Sequence, residues 1–132
     1  MNFRFRRWPL PLAAIILLVI IAVVLARPAP ALSSLPDWSN ATGWLNSPPL
    51  TWQQLAGKPT LVYFWSSTCG RCIDGLPFVQ SWANNSGLNV VLVHAPEFEF
   101  ERDPSSAVRG VQRLGIREPV ALDHGRLLWS AY

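Results

Sequence analysis

Cys69 and Cys72 are separated by Gly70-Arg71 and are the only two cysteines in the chain. A pair at that spacing can close a small ring by oxidation and reopen it by reduction, which is the chemistry of dithiol–disulfide exchange. Leu61-Val62-Tyr63-Phe64-Trp65, just before them, is a short apolar run of aromatic and β-branched residues, the pattern of a buried strand. Ser66-Ser67-Thr68 reads as a turn, and from Gly70 onward Ile73, Leu76 and Val79 recur at helical spacing. Cys69 therefore falls where a strand hands over to a helix N-terminus. Unpaired backbone N–H groups and the helix dipole favour negative charge there, and the thiolate is the reactive form of a thiol. This reading predicts Cys69 as the more exposed nucleophile and Cys72, one turn further on, as the resolving thiol. Trp65, Thr68, Gly70 and Arg71 flank the pair, and Arg71 adds positive charge close to the thiolate.

Other uses of two cysteines fit less well. A structural zinc site needs four ligands at close spacing, and His94 and His124, the only histidines, stand far apart in sequence. Covalent haem attachment needs a histidine directly after the second cysteine, where Ile73 stands. A peroxide-reducing cysteine would want a Pro-x-x-x-Thr-x-x-Cys lead-in, and Val62 occupies the proline position. A Cu(I)-handling protein stays open as a second reading, because soft thiolates suit that ion. The absence of a neighbouring methionine or a third cysteine argues against it. The exchange chemistry needs no cofactor beyond the Cys69–Cys72 disulfide itself, and no metal.

The elements that must position the pair occupy the second two thirds of a 132-residue chain, enough for one domain. Leu88–His94 reads as a second β-branched strand, Ala95–Asp103 as a loop dense in carboxylates, and Pro104–Leu114 as a helix ended by Gly115. Val120-Ala121-Leu122 reads as a short strand and Arg126–Tyr132 as a last helical piece. Pro48–Trp52 reads as a short edge strand, followed by a turn over Gln53–Gly57. Pro77 is expected to kink the helix that begins at Gly70. The strand–helix–strand–helix–strand order implies an α/β fold with a parallel core.

Ahead of the domain, residues 1–9 form a basic stretch with Arg4, Arg6 and Arg7. Leu10–Ala26 is an uncharged apolar run of 17 residues, at the short end of the transmembrane range. Residues 27–42 read as a linker. Ala29-Pro30-Ala31 resembles a signal-peptidase site, so the segment is either a retained signal anchor or a cleaved signal. Either reading puts the rest of the chain outside the cytoplasm, with the arginines left inside. The net charge of +3 belongs to this leader: from Leu32 onward there are seven basic and eight acidic side chains. That balance leaves no nucleic-acid footprint.

Several segments together resemble the thioredoxin-like, extracytoplasmic TlpA/ResA/DipZ family. They are Pro49-Leu50-Thr51, Leu55-Ala56-Gly57-Lys58, Leu61 to Ser66, and Cys69-x-x-Cys72 followed by Pro77. His94 to Arg102 and Gly115 through Asp123 are similar to the DipZ-type branch. The resemblance covers residues 43–132 and implies a thioredoxin-like fold, a central mixed sheet flanked by helices. It implies a membrane-tethered or exported thiol–disulfide oxidoreductase acting on protein thiols and disulfides. A place in cytochrome c maturation, at the bacterial inner membrane and facing the periplasm, goes with it, as does a membrane electron donor of the CcdA/DsbD type. By the same resemblance Glu97 matches a glutamate near the cysteines. Partly buried, it would have a raised pKa and pass the proton that thiol exchange requires. Gly70-Arg71 differs from the dipeptides common in the family, and dipeptide identity tunes reduction potential, so the direction of electron flow stays open. In the family a strand bearing a cis-proline follows beyond a position like Tyr132. The resemblance thus implies a domain incomplete at its C-terminus, and an inactive fragment is a further reading.

Overall fold

A central strand buried on both faces organises the domain. In the computed structural model, which describes residues 10–25, 35–85 and 87–132, β3 (Asn89–His94) is buried along almost its whole length. Its side chains divide between two apolar clusters. Val90 and Leu92 join Trp65, Leu76, Val79, Ala107, Val111 and Val120 on one side of the sheet. Val91 and Val93 join Trp38, Leu55, Ala121 and Leu128 on the other. A strand covered on both faces reads as continuous apolar sequence without alternation, as Val90 to Val93 does.

The sheet has four strands in the order β1-β4-β3-β2. The parallel pairs are β2 (Thr60–Trp65) with β3, and β3 with β4 (Val120–Leu122). In register, Trp65 stands opposite His94, and His94 opposite Leu122. The fourth strand, β1 (Gly43–Leu45), runs antiparallel to β4, so the sheet is mixed. Among the described residues β2 pairs only with β3, and it forms one edge.

The strand expected at Pro48–Trp52 lies elsewhere. Thr51 instead caps a short helix, α2 (Trp52–Leu55), through a reciprocal pair of bonds. The Thr51 hydroxyl accepts from the Gln54 N–H at 3.4 Å, and the Gln54 side chain accepts from the Thr51 N–H at 2.7 Å. Such a Thr-x-x-Gln box satisfies two donors that a helix start leaves free. The edge strand is formed earlier, at β1, where Asn46 takes a positive φ of 64° and its amide donates to the carbonyls of Ile116 and Glu118.

The helix α3 (Gly70–Asn85) buries Leu76 and Val79 and carries Pro77 inside it. Proline has no N–H, so the Ile73 carbonyl loses its helical donor. Next, α4 (Pro104–Arg113) starts on Asp103, whose carboxylate accepts from the Ser105 N–H at 2.9 Å. The last helix, α5 (Leu127–Ala131), is held by Asp123, a buried carboxylate that accepts from the N–H groups of Leu128 and Trp129 at 3.1 and 2.8 Å. Within the stretch expected as linker, Trp38–Asn40 forms a single 3-10 turn and Trp38 is buried in the second cluster.

The N-terminal helix α1 (Leu10–Leu25) belongs to a separate unit. At 16 residues it is about 24 Å long, against ~30 Å of bilayer hydrocarbon. Among the described residues no helix is long and apolar enough to cross a membrane. The arginines at 4, 6 and 7 and the candidate cleavage site at 29–31 lie outside the described residues.

Candidate active site

Ser66 ends the run out of β2 and is almost fully buried. Its carbonyl and hydroxyl both accept from the Cys69 N–H, at 3.4 and 3.2 Å. This turns the chain so that Cys69 immediately precedes α3. Cys69 and Cys72 are joined as a disulfide, with Cα atoms 5.2 Å apart. The Cys72 N–H points to the Cys69 sulphur at 3.2 Å. A free backbone donor aimed at that sulphur would also stabilise it as a thiolate. From β2, the Tyr63 hydroxyl donates to the Cys72 carbonyl at 2.9 Å. A Cβ on Gly75 would collide with that hydroxyl, so the glycine lets α3 lie close to β2.

Both cysteines are half-buried, whereas Thr68, Gly70 and Arg71 are exposed. The cleft beside them, with an empty volume of about 350 Å³ open to solvent, is lined by Cys72 together with Phe64, Trp65, Glu97, Arg126 and Trp129. Of the two cysteines, Cys72 borders this cleft. Trp65 forms the floor, 1 % exposed, and packs against α4 at Gly110. Arg126 has a left-handed backbone, φ 57°, and lies over the Trp129 ring at 5.1 Å while donating to the Pro96 carbonyl at 3.2 Å.

The carboxylate in the loop after β3 needs a correction. Glu97 is exposed, not partly buried, although its side chain borders the cleft. The buried carboxylate is Glu101, with no exposed surface. A 3-10 turn over Glu99–Glu101 folds the chain back, so that one carboxylate oxygen of Glu101 accepts from the N–H groups of Glu97 and Phe98 at 2.9 and 3.2 Å. The other accepts from the Ser67 hydroxyl at 2.9 Å and the Thr68 N–H at 3.1 Å. Burial alone would raise its pKa, but these bonds from Glu97, Ser67, Phe98 and Thr68 hold it below its ordinary value of 4.5. Spacing in the sequence did not single out Glu101 among Glu97, Glu99 and Asp103. The glutamate at the third position of a helical turn was the available signal.

His94 is fully buried at the end of β3, edge-on to Trp65 with ring centroids 5.0 Å apart. Among the described residues neither of its ring nitrogens has a hydrogen-bond partner. Burial holds its pKa below the ordinary 6.5. The nearby Glu101 charge pulls it upward, and His124 reinforces the lowering. No group of three or more His, Cys, Asp and Glu side chains able to hold a metal occurs among the described residues.

No family model matches the chain. Protein DipZ of Mycobacterium bovis is 40 % identical over 103 residues, covering 74 % of this chain and 15 % of DipZ. The thiol-disulfide oxidoreductase YkuV of Bacillus subtilis is 34 % identical over 101 residues, covering 74 % of this chain and 68 % of YkuV. The chain belongs to the thioredoxin-like TlpA/ResA/DipZ family of thiol–disulfide oxidoreductases. In three dimensions this thioredoxin-like domain matches the solution structure of a thioredoxin-like protein in its oxidised form. The TM-score is 0.61 at 33 % identity, over 68 % of this chain and 62 % of the other. It shares its fold with a secreted Mycobacterium tuberculosis disulfide oxidoreductase, with a TM-score of 0.54 at 20 % identity, over 74 % and 65 % of the two chains. The matched part of the chain thus spans a small part of DipZ and about two thirds of YkuV.

Proposed function

We propose that the chain exchanges electron pairs with protein thiols and disulfides through Cys69 and Cys72. The observation that carries this reading is the disulfide at the start of α3, opening on an apolar cleft lined by Cys72, Trp65 and Trp129. In the reducing direction the Cys69 thiolate attacks one sulphur of a substrate disulfide. A Cys69–substrate bond forms, and the other substrate sulphur leaves as a thiolate and takes a proton. The Cys72 thiolate then attacks the Cys69 sulphur. The mixed disulfide breaks, the second substrate thiolate departs, and the chain holds the Cys69–Cys72 disulfide after giving up two electrons. The oxidising direction runs the same steps backwards.

The location belongs to the same proposal. Residues 10–26 act as a signal anchor that leaves the domain on the extracytoplasmic side of a bacterial inner membrane, where a membrane donor of the CcdA/DsbD type supplies electrons and apocytochrome c is one substrate. Its supports are the arginines ahead of an uncharged apolar run and the exposed apolar side chains of α1, among them Leu17, Leu18 and Val23. The experiment is a titration of the full chain in glutathione redox buffers, with the thiol state read by mass after alkylation. The expected result is a single transition in which both cysteines change state together. Cysteines that fail to interconvert, or that form only stable glutathione adducts, overturn the reading.

A further inference from the structure

We propose that Glu101 is a positioning residue for the Cys69–Cys72 couple: its buried carboxylate fixes the loop that delivers Cys69 and makes the Cys69 thiolate harder to form. The inference rests on the reading of the cysteines as an exchanging pair. Its basis is the span of the four bonds to one carboxylate. Two come from Glu97 and Phe98, which border the cleft or follow it, and two from Ser67 and Thr68, the residues directly ahead of Cys69. Ser67 also lies 3.2 Å from the buried Ser106 hydroxyl of α4. A side chain with no exposed surface thus joins the active-site turn to the loop after β3.

The electrical consequence follows from what surrounds the cysteines. The α3 N-terminus and the Cys72 N–H favour a thiolate at Cys69. From α4, Arg113 donates to the Ser67 carbonyl at 3.1 Å. Arg71 and Asp74 sit exposed on α3 itself, and Glu97 and Arg126 border the cleft. Exposed charges of this kind are largely screened by water and salt. Burial lowers the pKa of His94 and raises that of half-buried Tyr63, favouring the neutral form of each. Asp123 bonds to α5 on the far side of His94. Glu101 is therefore the buried charge tied to the turn ahead of Cys69, and its sign opposes the thiolate.

The test is the pH dependence of Cys69 alkylation in the reduced full chain, together with the equilibrium constant against glutathione. Glu101→Gln keeps an acceptor and removes the charge. Its alkylation midpoint is expected to fall by about one pH unit, which is about tenfold more thiolate below the midpoint, and the couple should become more oxidising. Glu101→Asp keeps the charge and should stay close to the parent. Ser67→Ala leaves the charge but removes one donor that offsets it, so its midpoint should rise, and this variant carries the test if Glu101→Gln does not fold. A folded Glu101→Gln with an unchanged midpoint, equal shifts in Gln and Asp, or a fall in Ser67→Ala would overturn the proposal. Alkylation needs no turnover, so a parent chain that fails to exchange with glutathione counts against the proposed function and leaves this measurement intact.

Discussion

Cys69 and Cys72 differ in what touches their sulphurs and backbone, and that difference sorts their roles. The Cys69 sulphur receives the Cys72 N–H, and Cys72 sits one turn into α3 with its carbonyl bonded to Tyr63. Cys69→Ser is expected to abolish exchange. Cys72→Ser should accumulate a mixed disulfide with substrate, visible as an added mass released by reductant. Readier alkylation of Cys72 than Cys69 near neutral pH would reverse the assignment. His94 makes a separate statement about pH. Its folded pKa lies below 6.5 because burial disfavours the charged ring, so the unfolded chain binds the proton more readily. Stability is then complete above the unfolded value and declines as pH falls through 6.5 toward the lower folded value. Glu101 has its pKa lowered from 4.5, so its contribution is present above 4.5 and is lost only as pH falls below that. Between pH 7 and 5 the His94 contribution therefore changes while that of Glu101 does not. His94→Leu should remove most of the change in urea midpoint over that interval while altering stability little at pH 7, since among the described residues neither ring nitrogen has a partner to lose. An acid slope that survives the substitution would point to another group. The cysteines were legible in the sequence from their spacing and the strand before them. Glu101 was not, because four carboxylates within seven residues look alike until the 3-10 turn decides which one faces inward.

Helices and strands here were readable where a single local pattern decided them. Leu61–Trp65 and Leu88–His94 announced β2 and β3 by continuous apolar sequence, and Pro104 with Gly115 bracketed α4. Pro48–Trp52 misled because proline and apolar residues suggest an extended edge, while the Thr51–Gln54 box that starts α2 is a four-residue signal inside the same stretch. β1 is only three residues long and is fixed by pairing with β4, 75 or more residues later, so no local pattern marks it. The packing of α4 on the sheet depends on Gly110, where a Cβ would come within 2.9 Å of the Trp65 ring. Gly110→Ala is expected to push α4 off Trp65 and cost about 1–3 kcal/mol, read as a lowered denaturant midpoint. Because Trp65 floors the cleft, exchange kinetics should slow as well; an alanine tolerated without either effect would show that the helix can shift freely. At α5, Asp123→Ala leaves two amide donors without their buried acceptor. A loss of about 1–3 kcal/mol is expected, and a variant as stable as the parent would count against this anchoring.

Taken whole, the domain is a sheet with an apolar cluster on each face, and the two clusters differ in kind. One is aliphatic around Trp65, with α3 and α4 supplying Leu76, Val79, Ala107 and Val111. The other is dominated by rings: Trp38 lies within 6.3 Å of Trp44, Trp52 and Tyr132, and Phe64 meets Trp129 and Tyr132 edge-on. The fold class was legible from element order, but the ring-rich part of the second cluster was not: Trp38 comes from the stretch that reads as linker, Trp52 from the one that reads as an edge strand and Tyr132 from the last helical piece. Among the described residues β3 is bonded on both sides and covered on both faces. Opening free energies in a folded protein are not uniform, and such a strand opens at the highest cost. In deuterium exchange the amides of Val91 to Val93, with no exposed side-chain surface, should be the slowest among the described residues. Because β2 is bonded to β3 along its whole length, the turn that presents Cys69 is carried by the strand next to the one that opens last, and a partner's sulphur meets a site whose position the slowest part of the sheet sets.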